Sequence, residues 1–209
     1  VDCVGYLVPG ALGDQEDGQP RMVATPWDEE KIPFERAAEM GTEKVIREHA
    51  TIGVVITTDG SIGTMEPGSY EEAENRVIRQ LQALHKPFVV VLNSMHPESA
   101  AALEQASAME EKYGVPVLTM DCAKASEAQL SELMRRLLGR FPLREIRFSL
   151  PGYVEGLAAD HWLKKQLIEN IRFWAQGFDT VEELRGAAAS LTDGEVVENA
   201  EVRSVDLGS

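Results

Sequence analysis

Phe88-Val89-Val90-Val91-Leu92-Asn93-Ser94 is a continuous apolar run that stops on two polar residues. A strand buried on one face alternates apolar with polar, whereas a strand covered on both faces does not, so this run reads as an inner strand of a parallel sheet. Two runs of the same character flank it, Ile52-Gly53-Val54-Val55-Ile56 and Val115-Pro116-Val117-Leu118. Helical periods fill the spaces between them. Ala73, Val77, Leu81 and Leu84 recur on one stripe after Ser69 and Glu72, which have the spacing of a capping box. Residues 99–113 keep Ala102, Ala106, Met109 and Tyr113 in phase and stop at Gly114, a natural helix terminator. Before the first run, residues 34–49 place Ala38, Gly41, Val45 and Ile46 on roughly one side. After the third, Ser126 and Gln129 again have capping-box spacing and introduce Leu130, Leu133, Met134, Leu137 and Leu138. With residues 1–6 read as the end of a further buried strand, the order is β-α-β-α-β-α-β-α. That alternation predicts an α/β fold with a doubly wound, mostly parallel sheet and right-handed crossovers.

The chain has 209 residues, enough for one large domain or two small ones, and a composition ordinary for a globular protein. Its 35 acidic side chains outnumber the 20 basic ones and leave a formal charge of −15. Neutralising a phosphate backbone or an anionic lipid surface takes clustered Lys and Arg, so nucleic acid is excluded as the expected partner and so is direct lipid binding. Cys3 and Cys122 are too few for a disulfide framework and fit a reducing cytoplasm. No apolar stretch reaches the roughly 18 residues of a membrane span.

The α/β pattern ends at Phe141-Pro142, which divides the chain into residues 1–142 and the start of a second, α+β domain over residues 143–209. In the second part a strand is predicted over 144–150, a turn at Pro151-Gly152, and a helix capped by Asp160 that turns Leu163, Leu167, Ile171 and Trp174 one way. A helix over 180–191, a turn at Asp193-Gly194 and a strand through Val196, Val202 and Val205 follow. Trp162 and Trp174 read as core or interface, and Lys164, Lys165 and Arg172 as a solvated face.

Ligands of open α/β sheets sit at the carboxyl ends of strands. Asp2-Cys3-Val4-Gly5 stands at the first such end, before the Gly-rich stretch Pro9-Gly10-Ala11-Leu12-Gly13 and charged residues to Arg21. An Asp followed at three residues by Gly suits a phosphate site: the carboxylate holds a magnesium-bound water, and the glycine amide approaches a terminal phosphate with no Cβ in the way. A switch-like loop is expected after it. Asn93 resembles the first residue of the Asn-Lys-x-Asp loop that reads guanine in GTPases, with Ser94 in place of Lys and His96 in place of Asp. Losing that carboxylate removes guanine's bidentate partner and its advantage over adenine. Cys122-Ala123-Lys124 stands where the same fold has a Ser-Ala-Lys loop closing over the base.

Other chemistries lack support. His49, His85, His96 and His161 show no metal-ligand spacing. The sequence contains neither a Gly-x-Ser-x-Gly elbow nor His-Glu-x-x-His. Asp59 at a strand tip could suggest a phosphoacceptor, but the acidic pair expected at the first strand is absent.

Larger blocks carry a more specific likeness: Asp2-Cys3-Val4-Gly5-Tyr6, Glu16-Asp17-Gly18, Thr25-Pro26-Trp27, Ile32-Pro33-Phe34, Ile56-Thr57-Thr58-Asp59-Gly60, Leu92-Asn93-Ser94 and His161-Trp162-Leu163. Residues 1 to about 175 resemble the stage IV sporulation protein A family of endospore-forming Firmicutes. The resemblance implies a P-loop NTPase fold akin to the translation-factor GTPases, with ATP and Mg²⁺ as cofactors. It also implies ATP-driven self-association into a polymer, the basement layer of the spore coat on the mother-cell face of the forespore outer membrane. Further implied partners are a small amphipathic membrane-anchored peptide and coat proteins. Carried over residue by residue, Asp2 becomes the magnesium-linked carboxylate and Gly5 the γ-phosphate contact. Asn93, Ser94, Cys122, Ala123 and Lys124 surround the base. The family's Gly-x-x-x-x-Gly-Lys-Ser/Thr loop occurs nowhere in the 209 residues and is expected before Val1, so this stretch alone is expected not to hydrolyse ATP. A scaffold that no longer hydrolyses nucleotide and a GTPase of drifted specificity are the competing expectations.

Overall fold

A computed structural model describes the chain except for Val1, Val4, Thr64, Glu66, Asp193, Gly194, Gly208 and Ser209. It separates into two compact units, Val1–Leu137 and Leu138–Ser209.

In the first unit the described residues of the expected N-terminal strand are not in a strand. Asp2 and Cys3 are exposed and irregular, and Val1 and Val4 lie outside the described residues. The stretch expected as a switch-like loop, Pro9 to Arg21, contains one minimal ribbon, and a second follows it. β1 (Gln15–Glu16) pairs antiparallel with β2 (Gln19–Pro20), and β3 (Met22–Val23) with β4 (Ile32–Pro33). Asp17 and Gly18 join the first pair at φ of 53° and 74°, the left-handed conformation a two-residue turn needs to match strand twist.

α1 (Phe34–Lys44) continues into a π-helical turn over Val45–His49. β5 (Gly53–Thr58) follows, then a 3₁₀ turn and α2 (Glu71–Ala83). The Ser69–Glu72 capping box is not realised, because the 3₁₀ turn Pro67–Tyr70 precedes α2 and makes Tyr70 its N-cap, without a side-chain bond. β6 (Phe88–Asn93), α3 (Ala100–Tyr113), β7 (Val117–Met120) and α4 (Glu127–Gly139) complete the unit. Here the caps follow the sequence. Ser99 Oγ accepts the Ala102 N–H, Gly114 takes φ 65°, and Ser126 and Gln129 exchange backbone-to-side-chain bonds.

The three strands form one parallel sheet in the order β5-β6-β7. Ile78 and Leu81 of α2 and Ala106 and Met109 of α3 bury the face carrying Phe88, Val90 and Leu92, with Val55 and Val117 packed at its margin. Tyr113 ties the two helices together, its hydroxyl lying 2.6 Å from Glu74 Oε1 and 2.8 Å from Asn75 Oδ1. β6 is buried on both faces as expected. β5 is not: Val54 and Ile56 are 41% and 62% exposed. Among the described residues β5 is an edge strand, and its other face meets no helix of this core.

The second unit is helical where it is regular. α5 (Gly152–Glu155), α6 (Trp162–Ala175) and α7 (Val181–Ala187) carry it, with a 3₁₀ turn over Ala188–Leu191. The strands predicted over 144–150 and through Val196, Val202 and Val205 are irregular among the described residues, and the predicted Asp193-Gly194 turn lies outside them. α6 is capped not by Asp160 but by His161, whose Nδ1 accepts the Leu163 N–H at 3.2 Å. Lys164, expected in solvent, donates to the carbonyls of Glu155 and Leu157, both at 2.9 Å, and so closes the end of α5. Trp174 meets Phe148 and Phe178 edge to face at 6.2 and 4.7 Å, whereas Trp162 is exposed.

Candidate functional site

The parallel register ends β5, β6 and β7 level, with Thr58 opposite Asn93 and Asn93 opposite Met120. The polar residues just beyond these strand ends form one hydrogen-bonded floor.

Asn93 Oδ1 accepts the backbone N–H of Cys122 at 2.9 Å, and the Ser94 N–H donates to the Met120 carbonyl at 3.0 Å. These bonds fasten the Cys122-Ala123-Lys124 turn to β6. Asp121 shapes the turn from within. Its Oδ1 accepts the Ala123 N–H at 3.1 Å and its Oδ2 pairs with Lys124 Nζ at 3.0 Å. That charged hydrogen bond holds the Asp121 carboxyl below its usual range. The neighbouring Cys122 thiol is exposed at the surface. Partial desolvation of the sulfur and the Asp121 carboxylate push its titration up, which keeps it a thiol rather than a nucleophilic thiolate at neutral pH.

On the other side of Asn93, Ser94 is 0% exposed. Its Oγ accepts the His96 N–H at 2.9 Å, and its hydroxyl lies close enough to Asp59 beyond β5 to favour the ionised carboxyl. Asp59 Oδ1 further accepts the Ser61 N–H at 2.9 Å and the Ser61 hydroxyl at 2.5 Å, while Ser61 Oγ accepts the Met95 N–H at 2.9 Å. Desolvation raises the Asp59 pKa, but the bonds from Ser61 and Ser94 together outweigh it and leave the carboxyl below its usual value. Ser94 therefore does not play the part of the Lys it replaces. A small hydroxyl fills a buried gap, and Ser61, bonded to both Asp59 and the Met95 N–H, ties the end of β5 to that of β6.

The residues expected around the base, Asn93, Ser94, Cys122, Ala123 and Lys124, are thus brought together in one structure. Asp2 and Gly5 belong to another. Gly5 stands at φ 82° and its carbonyl accepts from Thr42 Oγ1 of α1 at 3.1 Å. Asp2 presents an exposed carboxylate on the irregular segment before it. Among the described residues no group of three or more His, Cys, Asp and Glu side chains is arranged to hold a metal. A lone exposed carboxylate suits Mg²⁺, which keeps several waters and takes its other ligands from substrate phosphates. A dehydrating metal such as structural zinc would not fit.

Sequence reasoning missed the Asp59–Ser61–Met95 link and the bond from Thr42 to Gly5. Asp59-Gly60-Ser61 is a composition that makes local side-chain turns, the one available signal for the first. Nothing local marks Thr42.

No helix among the described residues is long and apolar enough to cross a membrane. The family model "Stage IV sporulation protein A, ATPase domain" matches residues 1–142, and "Stage IV sporulation protein A, middle domain" matches residues 143–209. Stage IV sporulation protein A of Clostridioides difficile (strain 630) is 45% identical over 208 residues, that of Bacillus subtilis (strain 168) 42% over 211, and that of Bacillus anthracis 38% over 208. Each alignment covers the whole chain, and the chain spans 42% of the length of each relative. No solved structure matches it. An α/β unit with its polar strand ends fastened into one floor, matched over its length by the family's ATPase-domain model, shows that the chain belongs to the stage IV sporulation protein A family.

Proposed function

We propose that the full natural chain carrying these 209 residues is an ATPase that assembles by self-association into the basement layer of the spore coat. Residues 1–142 contribute the base side and the Asp2–Gly5 segment of its nucleotide site. Residues 143–209 begin a second domain. The observation that carries the choice of ATP is that His96 stands where a guanine-reading loop has its carboxylate, while the bond between Asn93 Oδ1 and Cys122 N–H fixes the Asn93 amide without choosing between bases. With Oδ1 engaged, Asn93 offers a base its NH₂ donor, which suits N7, an acceptor common to adenine and guanine. No carboxylate stands at His96 to take the guanine donors. The floor's carboxylates are already engaged, Asp59 with Ser61 and Asp121 with Ala123 and Lys124.

Asp2 holds Mg²⁺ through water in this reading, and Gly5 presents its amide to the terminal phosphate. The acidic excess of the chain argues against direct lipid contact. Placement on the mother-cell face of the forespore outer membrane then falls to a small amphipathic membrane-anchored peptide, with coat proteins as later partners.

The test is turnover of ATP and of GTP by the full natural chain, with sedimentation of assemblies from the same tubes. ATP-selective turnover accompanied by pelleting is expected. Pelleting with no turnover would replace the ATPase by a scaffold, and equal turnover of GTP would remove the argument from Asn93 and Ser94.

A further inference from the structure

The segment that carries Asp2 and Gly5 is anchored by two helices rather than by a strand. Thr42, 1% exposed in α1, donates its hydroxyl to the Gly5 carbonyl at 3.1 Å. A threonine inside a helix ordinarily bonds back to a carbonyl of its own preceding turn. This one reaches 37 positions along the chain. The next residue, Tyr6, is 7% exposed, and its hydroxyl donates to Gln80 Oε1 of α2 at 2.5 Å. The Arg76 guanidinium covers the Tyr6 ring, with Cζ 3.9 Å from the centroid, and pairs with Glu39 of α1. One peptide is therefore fixed between α1 and α2, and the helices are joined to each other beside it.

Gly5 is open on its other side. An added Cβ would meet nothing within 4 Å, so the glycine is required by its φ of +82° rather than by lack of space. A glycine has two soft torsions, and an amide donor serves a charged ligand only while its direction holds within about 10–20°. Thr42 fixes the carbonyl side of Gly5, and Tyr6 stops the following residue from drifting.

We propose that Thr42 and Tyr6 are positioning residues of the nucleotide site: by holding the Gly5-Tyr6 peptide against α1 and α2 they fix the point from which the Gly5 amide reaches the terminal phosphate. The proposal rests on the reading of Gly5 as that contact. It assigns α1 and α2 a part in turnover.

The experiment uses the full natural chain with Thr42→Val, Thr42→Ser, Tyr6→Phe and Gly5→Ala. It measures kcat and KM for ATP, and binding of Mg-ADP, which lacks the terminal phosphate. For Thr42→Val, kcat falls about tenfold, the equivalent of about 1.4 kcal/mol in the barrier. Mg-ADP affinity stays within about twofold in that variant, since the lost orientation concerns only the terminal phosphate. Thr42→Ser regains the lost rate, and Tyr6→Phe shifts kcat in the same direction as Thr42→Val. Normal kcat in a folded Thr42→Val variant, a loss that serine does not restore, or an equal loss of Mg-ADP affinity would each overturn the proposal. Should Thr42→Val fail to fold, Tyr6→Phe decides on the same kcat and Mg-ADP criteria. If Gly5→Ala is inactive while Thr42→Val and Tyr6→Phe are normal, the positioning role alone is wrong. If Gly5→Ala turns over normally, the reading of Gly5 is wrong and the positioning role falls with it.

Discussion

Asn93 Oδ1 and the backbone N–H of Cys122 meet at 2.9 Å across the ends of β6 and β7. One side-chain oxygen thereby holds a whole turn, since the backbone of residues 121–124 has few other ties to the sheet. Replacing Asn93 by Ala leaves that exposed N–H to water and costs about 0.5–1.5 kcal/mol of stability, the usual net scale of one hydrogen bond. Urea unfolding checks the magnitude. Amide exchange at Cys122 should accelerate more than exchange at Val90 or Val91 in mid-strand, and equal protection in both variants would remove the turn's dependence on Asn93.

Ser94→Lys restores the residue of the guanine-reading loop but not its function. The site is 0% exposed, so the ammonium is buried against Asp59 or forces β5 and β6 apart at their ends. Unless the new charge finds full compensation from Asp59, the cost is about 3–5 kcal/mol. A thermal melt should show the loss, and ATP and GTP titrations of the full natural chain should show no gain in GTP preference. A stable variant that prefers GTP would mean that Ser94 is not structurally confined.

Asp59 gives a pH signature. Its folded-state pKa is depressed, so the stabilisation is complete above the unfolded value of about 3.9 and is lost as pH falls through the lower folded value. Asp59→Asn lacks that titration. The stability difference between the native protein and Asp59→Asn, followed by urea unfolding, is expected to be flat above about pH 5 and to shrink below pH 4. A difference that grows on acidification would reverse the sign and contradict the hydrogen bonds from Ser61 and Ser94.

In the second unit, Thr180 caps α7. Its Oγ1 accepts the Glu183 N–H at 3.4 Å, and Glu183 Oε2 accepts the Thr180 N–H at 3.1 Å and that of Asp179 at 2.8 Å. The backbone bonds are the main reason the Glu183 carboxyl sits below its usual range. Thr180→Ala is expected to cost about 1 kcal/mol. The loss should appear in the unfolding of the second unit and leave the Asn93 turn untouched, as judged by exchange at Cys122.

Much of this architecture is legible in short stretches. The run from Phe88 to Leu92 declares a strand covered on both faces, and Ser99, Gly114 and the Ser126–Gln129 pair declare helix ends, because each signal acts over at most a few residues. The readings that fail are those in which a local pattern competes with its surroundings. Ser69 and Glu72 have capping spacing, yet the 3₁₀ turn of Pro67–Tyr70 places the helix start beyond Ser69. Asp160 is a good cap residue, but His161 is the one positioned to receive the Leu163 N–H. Lys164 looks like surface charge until α5 presents it with two free carbonyls.

Sequence by itself determined the parallel strands, most of the helix ends and the identity of the polar residues at the strand tips, because hydrophobic runs, caps and glycine stops are properties of neighbours in the chain. Tertiary structure alone decided what those tips do. Asn93 reaches Cys122 across 29 positions, and Thr42 reaches Gly5 across 37. Ser94 becomes buried only because β5 and β6 lie side by side in register. A hydrogen bond depends on distance and direction to within fractions of an ångström and tens of degrees, and no spacing along the chain encodes that until the sheet has brought its strand ends level.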